Sequence, residues 1–334
     1  MPPQTLHFVT LFNSYYLTRG LALYASLEKE CPDFKLYVIA FDQVCYDILS
    51  KLALPSMVVI SLKEFEDPEL LAIKPTRNAK EYCWTCSSCS IYYTIKKYNL
   101  DMCTYIDADM LFFDDPRLIL DEMKEKSVLL TEQRLPKNGA KEEKNGTYCV
   151  QFMPFKNDAN GMQALSWWRD RCIEWCYDRF EDGKIGDQKY LDDWTTRFPG
   201  VHVMQHIGGG VAPWNVYRYI FNTADGKIYM EEKETGIKAP LVFYHFQSTH
   251  LYFIFEKVKA FYYPYDITLD RNARYIYDTY EKSIEKALTL ARTVDPLFER
   301  GFNKPIDYIK TMSRKVQKNF DFYLRTIAKK ALRK

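Results

Sequence analysis

The sequence predicts an α/β protein with a mixed, mostly parallel central sheet flanked by helices, followed by a helical and basic C-terminal extension. Strand-like apolar runs alternate with segments of helical periodicity from residue 6 onward, which is typical of a parallel sheet covered on both faces. The chain has 334 residues, of which 47% are hydrophobic, so it can bury the core that such a sheet requires. Basic residues concentrate after residue 304, where the apolar pattern remains helical.

The elements follow one another in the order that a β-α-β fold requires. Residues 6–11 and 34–40 are strand-like, and residues 18–29 between them have apolar side chains at helical spacing. Further strands are predicted at 55–62, 102–106, 128–131, 148–155 and 241–246, and further helices at 84–98, 163–179 and 187–194. We expect an α/β domain over residues 1–265 and a helical extension over residues 266–334.

Two carboxylates one residue apart follow the strand predicted at residues 102–106. Asp107 and Asp109 come at the carboxyl end of this strand, where parallel sheets bind ligands. If the chain turns there, both carboxylates can face one hard divalent cation and leave coordination positions open for the phosphates of a nucleotide. The alternative is an acidic turn without a ligand.

With this motif the sequence resembles metal-dependent glycosyltransferases of the GT-A fold, especially the retaining enzymes of glycosyltransferase family eight. The resemblance spans residues 5–255. It implies that Asp107 and Asp109 hold Mn²⁺ or Mg²⁺ against the diphosphate of a nucleotide sugar, with Ala108 next to the nucleotide. The resemblance therefore implies a GT-A-like catalytic domain.

The resemblance also implies a third metal ligand, a histidine that follows an apolar strand late in the domain. His245 fits this description, because it comes in the run Leu-Val-Phe-Tyr-His-Phe over residues 241–246. Imidazole is a reasonable ligand for manganese. His206 and His250 are alternatives, and a structural role for His245 also stays open.

A second shared motif is Asp187-Gln188, at the start of a predicted helix. In similar enzymes this pair faces the donor sugar, which implies that Asp187 binds sugar hydroxyls and that Gln188 lies beneath the anomeric carbon. A neutral amide is a poor nucleophile, so front-face substitution with retention is favoured over a covalent glycosyl-enzyme. The alternative is that Asp187 only caps the helix.

Weaker candidates complete the predicted site, and each has a structural alternative. Thr10, Asn13 and Tyr16 follow the first strand and are predicted to contact the nucleotide, although Asn13 could instead cap the helix that follows. The candidates for the donor or acceptor sugar are Gly146, Gln151, Trp214 and Asn215. For Gly146 an ordinary loop glycine is the alternative, and for Trp214 and Asn215 a packed corner is the alternative.

Two features depart from the family pattern. Similar enzymes carry an arginine on the helix before the metal strand, but no arginine occurs between Glu81 and Asp101. They also follow the metal histidine with glycine and Lys-Pro-Trp, whereas His245 is followed by Phe-Gln-Ser-Thr over residues 246–249. The sequence therefore does not identify the basic partner of the diphosphate.

The cysteines raise the alternative of a zinc or iron–sulfur site. Cys83, Cys86 and Cys89 are three residues apart, and Cys172 and Cys176 could complete a ligand set. On a helix this spacing aligns small side chains along one face, so packing in the core is favoured.

Charge and targeting signals indicate where the protein works. The N-terminus has no positively charged region followed by an apolar one, and no run of 18 apolar residues occurs, so a cytoplasmic protein with reduced thiols is predicted. Residues 304–334 hold ten Lys and Arg residues but only Asp307 and Asp321 as acids. An amphipathic basic helix of this kind favours contact with the anionic inner face of a membrane, and a helix packed on the domain is the alternative. A general nucleic-acid binder is disfavoured because the basic charge is local.

These observations together predict a transferase that moves a sugar from a nucleotide diphosphate sugar, with a UDP-sugar as the expected donor, to a saccharide or a lipid-linked saccharide. A sugar-nucleotide pyrophosphorylase or nucleotidyltransferase is one alternative, but it should carry a glycine-rich basic loop after the first strand, and residues 12–15 read Phe-Asn-Ser-Tyr. A non-catalytic membrane-associated binding module is the other alternative.

Removal of the basic tail should abolish binding to anionic membranes. Each Lys or Arg near such a surface contributes about 1 kcal/mol, so the intact chain should float with vesicles that contain acidic phospholipid and a chain lacking residues 304–334 should not. Liposome flotation measures the difference, with neutral vesicles as the control. Equal flotation of the two chains would contradict a membrane role for the tail.

Overall fold

The central sheet contains eight strands among the residues that the computed structural model describes, which are 5–135, 146–262 and 271–304. The strands of the described residues are β1 (Leu6–Phe12), β2 (Phe34–Ala40), β3 (Met57–Ser61), β4 (Met102–Ile106), β5 (Met110–Phe112), β6 (Val128–Glu132), β7 (Tyr148–Cys149), β8 (Phe152–Lys156), β9 (Val201–Val203), β10 (Tyr219–Ala224), β11 (Lys227–Glu232), β12 (Lys238–Pro240), β13 (Phe243–His245), β14 (Thr249–Ile254) and β15 (Lys257–Tyr262).

The order of the sheet is β3-β2-β1-β4-β8-β6-β7, with β9 paired to β6. Strands β3, β2, β1 and β4 run parallel, β8 reverses direction against β4, and β9 is parallel to β6. The mixed, mostly parallel sheet flanked by helices confirms the predicted fold class. Shorter ladders lie outside this sheet, with β5 paired to β13, β14 to β15, and β10, β11 and β12 in a three-stranded group.

Helices cover the sheet on both sides. They are α1 (Leu17–Glu30), α2 (Gln43–Leu52), α3 (Leu62–Phe65), α4 (Pro68–Ile73), α5 (Ala79–Tyr98), α6 (Arg117–Leu120), α7 (Ala159–Glu174), α8 (Trp194–Arg197) and α9 (Arg271–Arg292). Short 3₁₀ turns occupy Lys74–Thr76, Asp121–Met123, Lys189–Leu191 and Val216–Arg218.

Strand alternation divides the buried residues into two hydrophobic clusters. Phe8 and Phe12 of β1 point into the cluster that contains α1 and α9, whereas Val9 and Leu11 point into the cluster that contains α5 and α7. This follows from the period of two in a β-strand, which sends successive side chains to opposite faces. A strand that is apolar on both faces is therefore covered by helices on both sides.

Several elements differ from the prediction. The helix predicted at 163–179 lies at Ala159–Glu174, and the helix predicted at 187–194 is a 3₁₀ turn followed by the short α8. The strand predicted at 148–155 is two strands, because the chain turns at Val150 and Gln151. Apolar residues continue through that turn, so the sequence pattern does not mark it.

The predicted extension after residue 265 contains a helix that packs on the catalytic core. The Tyr280 ring of α9 stacks on Phe246 with centroids 3.7 Å apart, and the hydroxyls of Tyr277 and Tyr244 lie 3.1 Å apart. The predicted boundary and the basic tail beyond residue 304 lie outside the described residues. Of the helices that the structure describes, none is long and apolar enough to cross a membrane.

Phe243 should be essential for stability because it joins the β5–β13 ladder to the central sheet. Its ring lies 5.1 Å from that of Phe152 and 5.8 Å from that of Phe112, and it is fully buried. Truncation to Ala leaves a cavity, so Phe243→Ala should lower the free energy of unfolding by about 3–5 kcal/mol. Urea unfolding measures this loss. The control is Phe255→Ala, at a ring that is 96% exposed. Equal stability of the two variants would contradict this account.

Candidate active site

Three potential metal ligands from distant parts of the chain meet at the carboxyl end of β4. Asp107 and Asp109 lie in the turn between β4 and β5, and β13 pairs antiparallel with β5 so that His245 lies opposite Met110. The amide of Phe246 donates a hydrogen bond to the carbonyl of Asp109 at 2.8 Å. The register of this short ladder therefore brings His245 next to the aspartates, although 136 residues separate it from Asp109.

The geometry of the three side chains fits a single divalent cation. His245 Nε2 lies 3.1 Å from Asp109 Oδ1 and 3.4 Å from Asp107 Oδ2, and one ligand atom from each residue falls within 4.8 Å of the others. Ligand atoms about 2.1 Å from an octahedral cation lie roughly 3 Å apart at neighbouring positions. Two carboxylates and one imidazole form a donor set that suits manganese or magnesium.

The three side chains of the cluster lie close enough together that the charge of each affects the pKa of the others. Burial alone would lower the pKa of His245, but the carboxylates of Asp109 and Asp107 hold that pKa well above its ordinary value. Burial raises the pKa of Asp107, whereas for Asp109 the attraction to His245 outweighs burial and lowers the pKa. At neutral pH the imidazolium offsets the carboxylate charge, which a divalent cation could do in its place.

Neighbouring groups orient two of these ligands. The hydroxyl of Tyr105 donates a hydrogen bond to Asp107 Oδ1 at 2.9 Å. The ring of Trp214 lies edge-on to His245, with centroids 5.7 Å apart and an interplanar angle of 87°. Such contacts fix the direction of ligand side chains before a cation binds.

The Asp187-Gln188 pair lies in the same cleft. Asp187 is almost fully buried, and burial, together with the nearby charge of Asp107, raises the pKa of Asp187 to about 7. The indole of Trp168 donates a hydrogen bond to the backbone carbonyl of Asp187 at 2.9 Å, which anchors the segment. Gln188 precedes the 3₁₀ turn Lys189–Leu191, so neither residue caps a full α-helix as the sequence had allowed.

The cleft has a volume of about 930 Å³ and contains both motifs. Its lining includes the predicted site residues Asn13, Tyr16, Ala108, Asp107, Asp109, Asp187, Gln188 and His245. Asn13 Oδ1 accepts a hydrogen bond from the amide of Tyr15 at 3.0 Å, which shapes the turn after β1. The structure thus brings the two motifs and part of the predicted nucleotide site together.

Three other predicted contact residues are not among those that line the cleft, although the carbonyl of Gln151 accepts a hydrogen bond from the amide of Asp107 at 3.1 Å. Thr10 and Gln151 are fully buried, and Gly146 packs close to Asp192, where an added Cβ would lie 2.8 Å from Oδ1. Their predicted contacts with ligand stay predictions.

Trp214 and Asn215 form the packed corner that the sequence left open as an alternative. Both donate hydrogen bonds to the carbonyl of Gln133, at 2.7 and 3.0 Å. Both side chains are also buried. Trp214 therefore borders the site through His245 and through the hydrophobic cluster that it shares with Cys149.

Three cations in the cleft lining were missed by sequence reasoning. Lys74, Arg77 and Lys80 lie just before α5 or in its first turn, whereas the family pattern predicts a basic residue between Glu81 and Asp101. The helix start was detectable, because Asn78 and Glu81 form a capping box there.

Each of these cations already has a partner in the protein. Lys74 pairs with Glu66 at 2.5 Å and Lys80 with Asp178 at 2.7 Å. The guanidinium of Arg77 stacks on Tyr177 at 3.9 Å. Lys74 and Lys80 are therefore neutralised by carboxylates, whereas Arg77 has no carboxylate partner among the described residues and its buried Nε has no hydrogen-bond partner.

The predicted cysteine packing agrees with the structure in part. Cys86, Cys89, Cys172 and Cys176 are buried in the cluster between α5 and α7, whereas Cys83 lines the cleft. Among the described residues, the one group of three or more potential metal ligands is Asp107, Asp109 and His245.

No protein-family model matches the chain. Proteins of Bacillus subtilis are similar to it in sequence. The uncharacterized protein YfnD of Bacillus subtilis (strain 168) is 31% identical over 302 residues, which cover 89% of this chain and 94% of YfnD. A second uncharacterized protein of the same organism, YfnF, is 29% identical over 306 residues, which cover 89% of this chain and 97% of YfnF.

Solved structures of glycosyltransferases are similar at a greater distance. The galactosyltransferase LgtC, crystallised with donor and acceptor sugar analogues, has a TM-score of 0.49 and 13% identity over 87% of this chain and 96% of its own. Mouse xyloside xylosyltransferase 1 has a TM-score of 0.47 and 11% identity over 73% of this chain and 98% of its own. TM-scores below 0.5 do not assign an activity, which has to come from the residues of the cleft.

Replacement of Asp187 by Asn should stabilise the fold at alkaline pH. Because burial holds the pKa of Asp187 at about 7, its ionisation costs the folded chain stability as the pH rises through that value. Asn stays neutral, so the gain should be near zero at about pH 4 and should reach an upper limit of about 4 kcal/mol above about pH 8. Thermal unfolding across this range measures the gain.

The control for this variant is Asp193→Asn, at an exposed carboxylate in the same segment that pairs with Arg197. Its effect should be small and nearly independent of pH. If the difference in unfolding temperature between Asp187→Asn and the unaltered chain were the same at every pH, the assignment of a buried, ionisable Asp187 would be wrong.

Proposed function

We propose that this chain, which belongs to the family of the Bacillus subtilis protein YfnD, is a metal-dependent glycosyltransferase. The single observation that carries the proposal is the meeting of Asp107, Asp109 and His245 in one cleft with Asp187 and Gln188. The donor is a nucleotide diphosphate sugar, with UDP as the expected nucleotide. The acceptor is a saccharide or a lipid-linked saccharide.

Asp107, Asp109 and His245 would hold Mn²⁺ or Mg²⁺, since their spacing and donor atoms suit such an ion. When bound, this cation supplies positive charge that stabilises a departing diphosphate. The chain itself fixes the ligands. The hydroxyl of Tyr105 holds Asp107, and the ring of Trp214 restricts His245, so little reorganisation is needed when the ion arrives.

The nucleoside end of the cleft is assigned to the turn after β1. Asn13 and Tyr16 line it, and Ala108 between the two aspartates adds a small side chain that leaves room for a ligand. Tyr16 offers an aromatic face that is 42% exposed and on which a base can stack. Thr10 is buried within β1, and its contact with the nucleotide stays a prediction.

The sugar end of the cleft is assigned to Asp187 and Gln188. Asp187 is buried and hydrogen-bonding, and with its pKa at about 7 it can accept from or donate to a sugar hydroxyl near neutral pH. Gln188 carries no charge and does not provide a strong nucleophile. This chemistry supports front-face substitution with retention, in which the acceptor hydroxyl passes its proton to the leaving phosphate.

The proposed location is the cytoplasm, at the inner face of the membrane. The basic segment over residues 304–334 supports it, because positive charge attracts a surface of anionic lipid. Attachment there would bring the cleft close to lipid-linked acceptors.

Metal removal and ligand substitution test the proposed function. The purified full chain, incubated with Mn²⁺ and a panel of sugar nucleotides, should hydrolyse one donor slowly even without an acceptor. Chelation should abolish this activity, and Asp109→Asn should reduce it by about 10²–10³-fold, because the cation loses a charged ligand. Release of the nucleoside diphosphate measures the rate.

Asp193→Asn serves as the control, because its carboxylate is exposed and lies on another segment. Turnover that survives chelation would contradict metal dependence. An inverted anomeric product, observed by NMR once an acceptor is found, would contradict retention and leave the metal site intact.

A further inference from the structure

Arg19 is a buried cation that the proposed reaction does not yet use. It lies in the first turn of α1 and is only 7% exposed. Arginine is rarely buried unless it is paired, because removal of its charge from water is costly. Yet none of the carboxylates in the described residues forms a salt bridge with it, and it contacts two backbone carbonyls and an aromatic ring.

These partners belong to both walls of the cleft. Nη1 donates a hydrogen bond to the carbonyl of Tyr15 at 3.2 Å, and the guanidinium lies 4.5 Å from the ring centre of Tyr16, in the turn assigned to the nucleoside. Nη2 donates to the carbonyl of Thr249 at 3.3 Å. Thr249 directly follows Gln247 and Ser248, which line the cleft beyond His245. Arg19 therefore clamps the nucleoside turn to the segment after the third metal ligand.

The C-terminal segment covers the outer side of this clamp. Gly301 has a φ of +87°, and a Cβ added there would lie 2.1 Å from the carbonyl oxygen of Tyr15 and 3.3 Å from Arg19 Nη1. Arg300 donates a hydrogen bond to Ser14 Oγ at 2.9 Å in the same turn. The close passage of the backbone excludes water from one side of the guanidinium, so its field is weakly screened.

Backbone hydrogen bonds connect the carbonyl partner of Arg19 to the proposed metal ligands. The amide of Thr249 donates to the carbonyl of Phe246 at 3.1 Å, and the amide of Phe246 donates to the carbonyl of Asp109 at 2.8 Å. The contacts of Arg19 therefore extend from the nucleoside turn to the segment that is hydrogen-bonded to the cluster.

A buried cation near the cleft could compensate part of the negative charge of a bound diphosphate. The carboxylates of Asp107 and Asp109 offset the charge of a divalent cation, so the negative charges of a bound diphosphate need further compensation. Of the cations that line the cleft, Lys74 and Lys80 pair with carboxylates, whereas Arg77 stacks on Tyr177 and donates a hydrogen bond to the carbonyl of Ile173. Arg19 likewise has no carboxylate partner among the described residues, but it differs from Arg77 because its hydrogen bonds join the turn after β1 to Thr249.

We propose that Arg19 is a positioning residue that prepares the cleft for a nucleoside diphosphate, by joining the two walls through their carbonyls and by placing a buried positive charge beside the nucleoside turn. This inference rests on the proposed function, because the diphosphate is that of its donor. A residue with this role should affect cation binding and diphosphate binding in different ways, whereas a residue that only stabilises the fold should weaken both.

Isothermal titration calorimetry of the full chain separates these cases. Mn²⁺ is titrated alone, and UDP is then titrated at saturating Mn²⁺. Arg19→Met, which keeps the length of the side chain, should bind UDP at least about tenfold more weakly but Mn²⁺ equally or more tightly, because a repelling charge is gone. Arg19→Lys keeps the charge but loses the planar fork, so its loss of UDP affinity should be smaller.

Arg292→Met is the matched control. Arg292 donates from Nε to the carbonyl of Phe298 at 3.0 Å and lies 5.1 Å from the ring centre of Phe253, so it shares two kinds of contact with Arg19 away from the cleft, and it differs in its salt bridge with Glu299 at 3.2 Å. Its removal should leave UDP affinity unchanged.

Three outcomes would overturn the proposal for Arg19. They are full UDP affinity in Arg19→Met, a parallel loss of Mn²⁺ and UDP affinity, and an equal loss in Arg292→Met. If Arg19→Met does not fold, Arg19→Lys decides, and undiminished UDP affinity in that variant overturns the role. A different result, in which the unaltered chain binds Mn²⁺ but none of UDP, GDP and ADP, would contradict the proposed function and with it the assigned ligand.

Discussion

The pairing of β5 with β13 is the interaction on which the site depends. It is a ladder of three residues on each strand, and its register places His245 opposite Met110, directly after the second aspartate. A shift by one residue would turn the imidazole to the other face of the ladder. The packing of Phe243 between Phe112 and Phe152 fixes the register, so a hydrophobic contact determines whether three polar groups can share an ion.

The sequence predicts the fold correctly where the pattern of neighbouring residues determines the element. Strands β1, β2 and β4 have continuous apolar runs, and the helices between them have apolar faces at regular spacing, so periodicity identified both. The paired aspartates were also readable, because a strand end and a short motif are local features. The sequence pattern failed where a turn interrupts an apolar run, as at Val150, and where a polar segment forms only a 3₁₀ turn, as after Gln188.

The remainder of the site depends on contacts between distant residues. His245 could be named only through resemblance, since no local signal distinguishes it from His206 or His250. The cations before α5 and the clamp at Arg19 were missed, because their significance comes from neighbours that lie far away in sequence. Trp214 was predicted at the surface of the cleft, but the tertiary packing turns it inward against His245.

The aromatic contacts of α9 have a consequence for how the protein is made. Tyr244 and Phe246 flank the imidazole in sequence, and the helix contacts both of them through Tyr277 and Tyr280. During synthesis, the two acids emerge from the ribosome long before this helix does. The residues that flank the imidazole therefore lack their contacts with Tyr277 and Tyr280 until the last described helix has been synthesised.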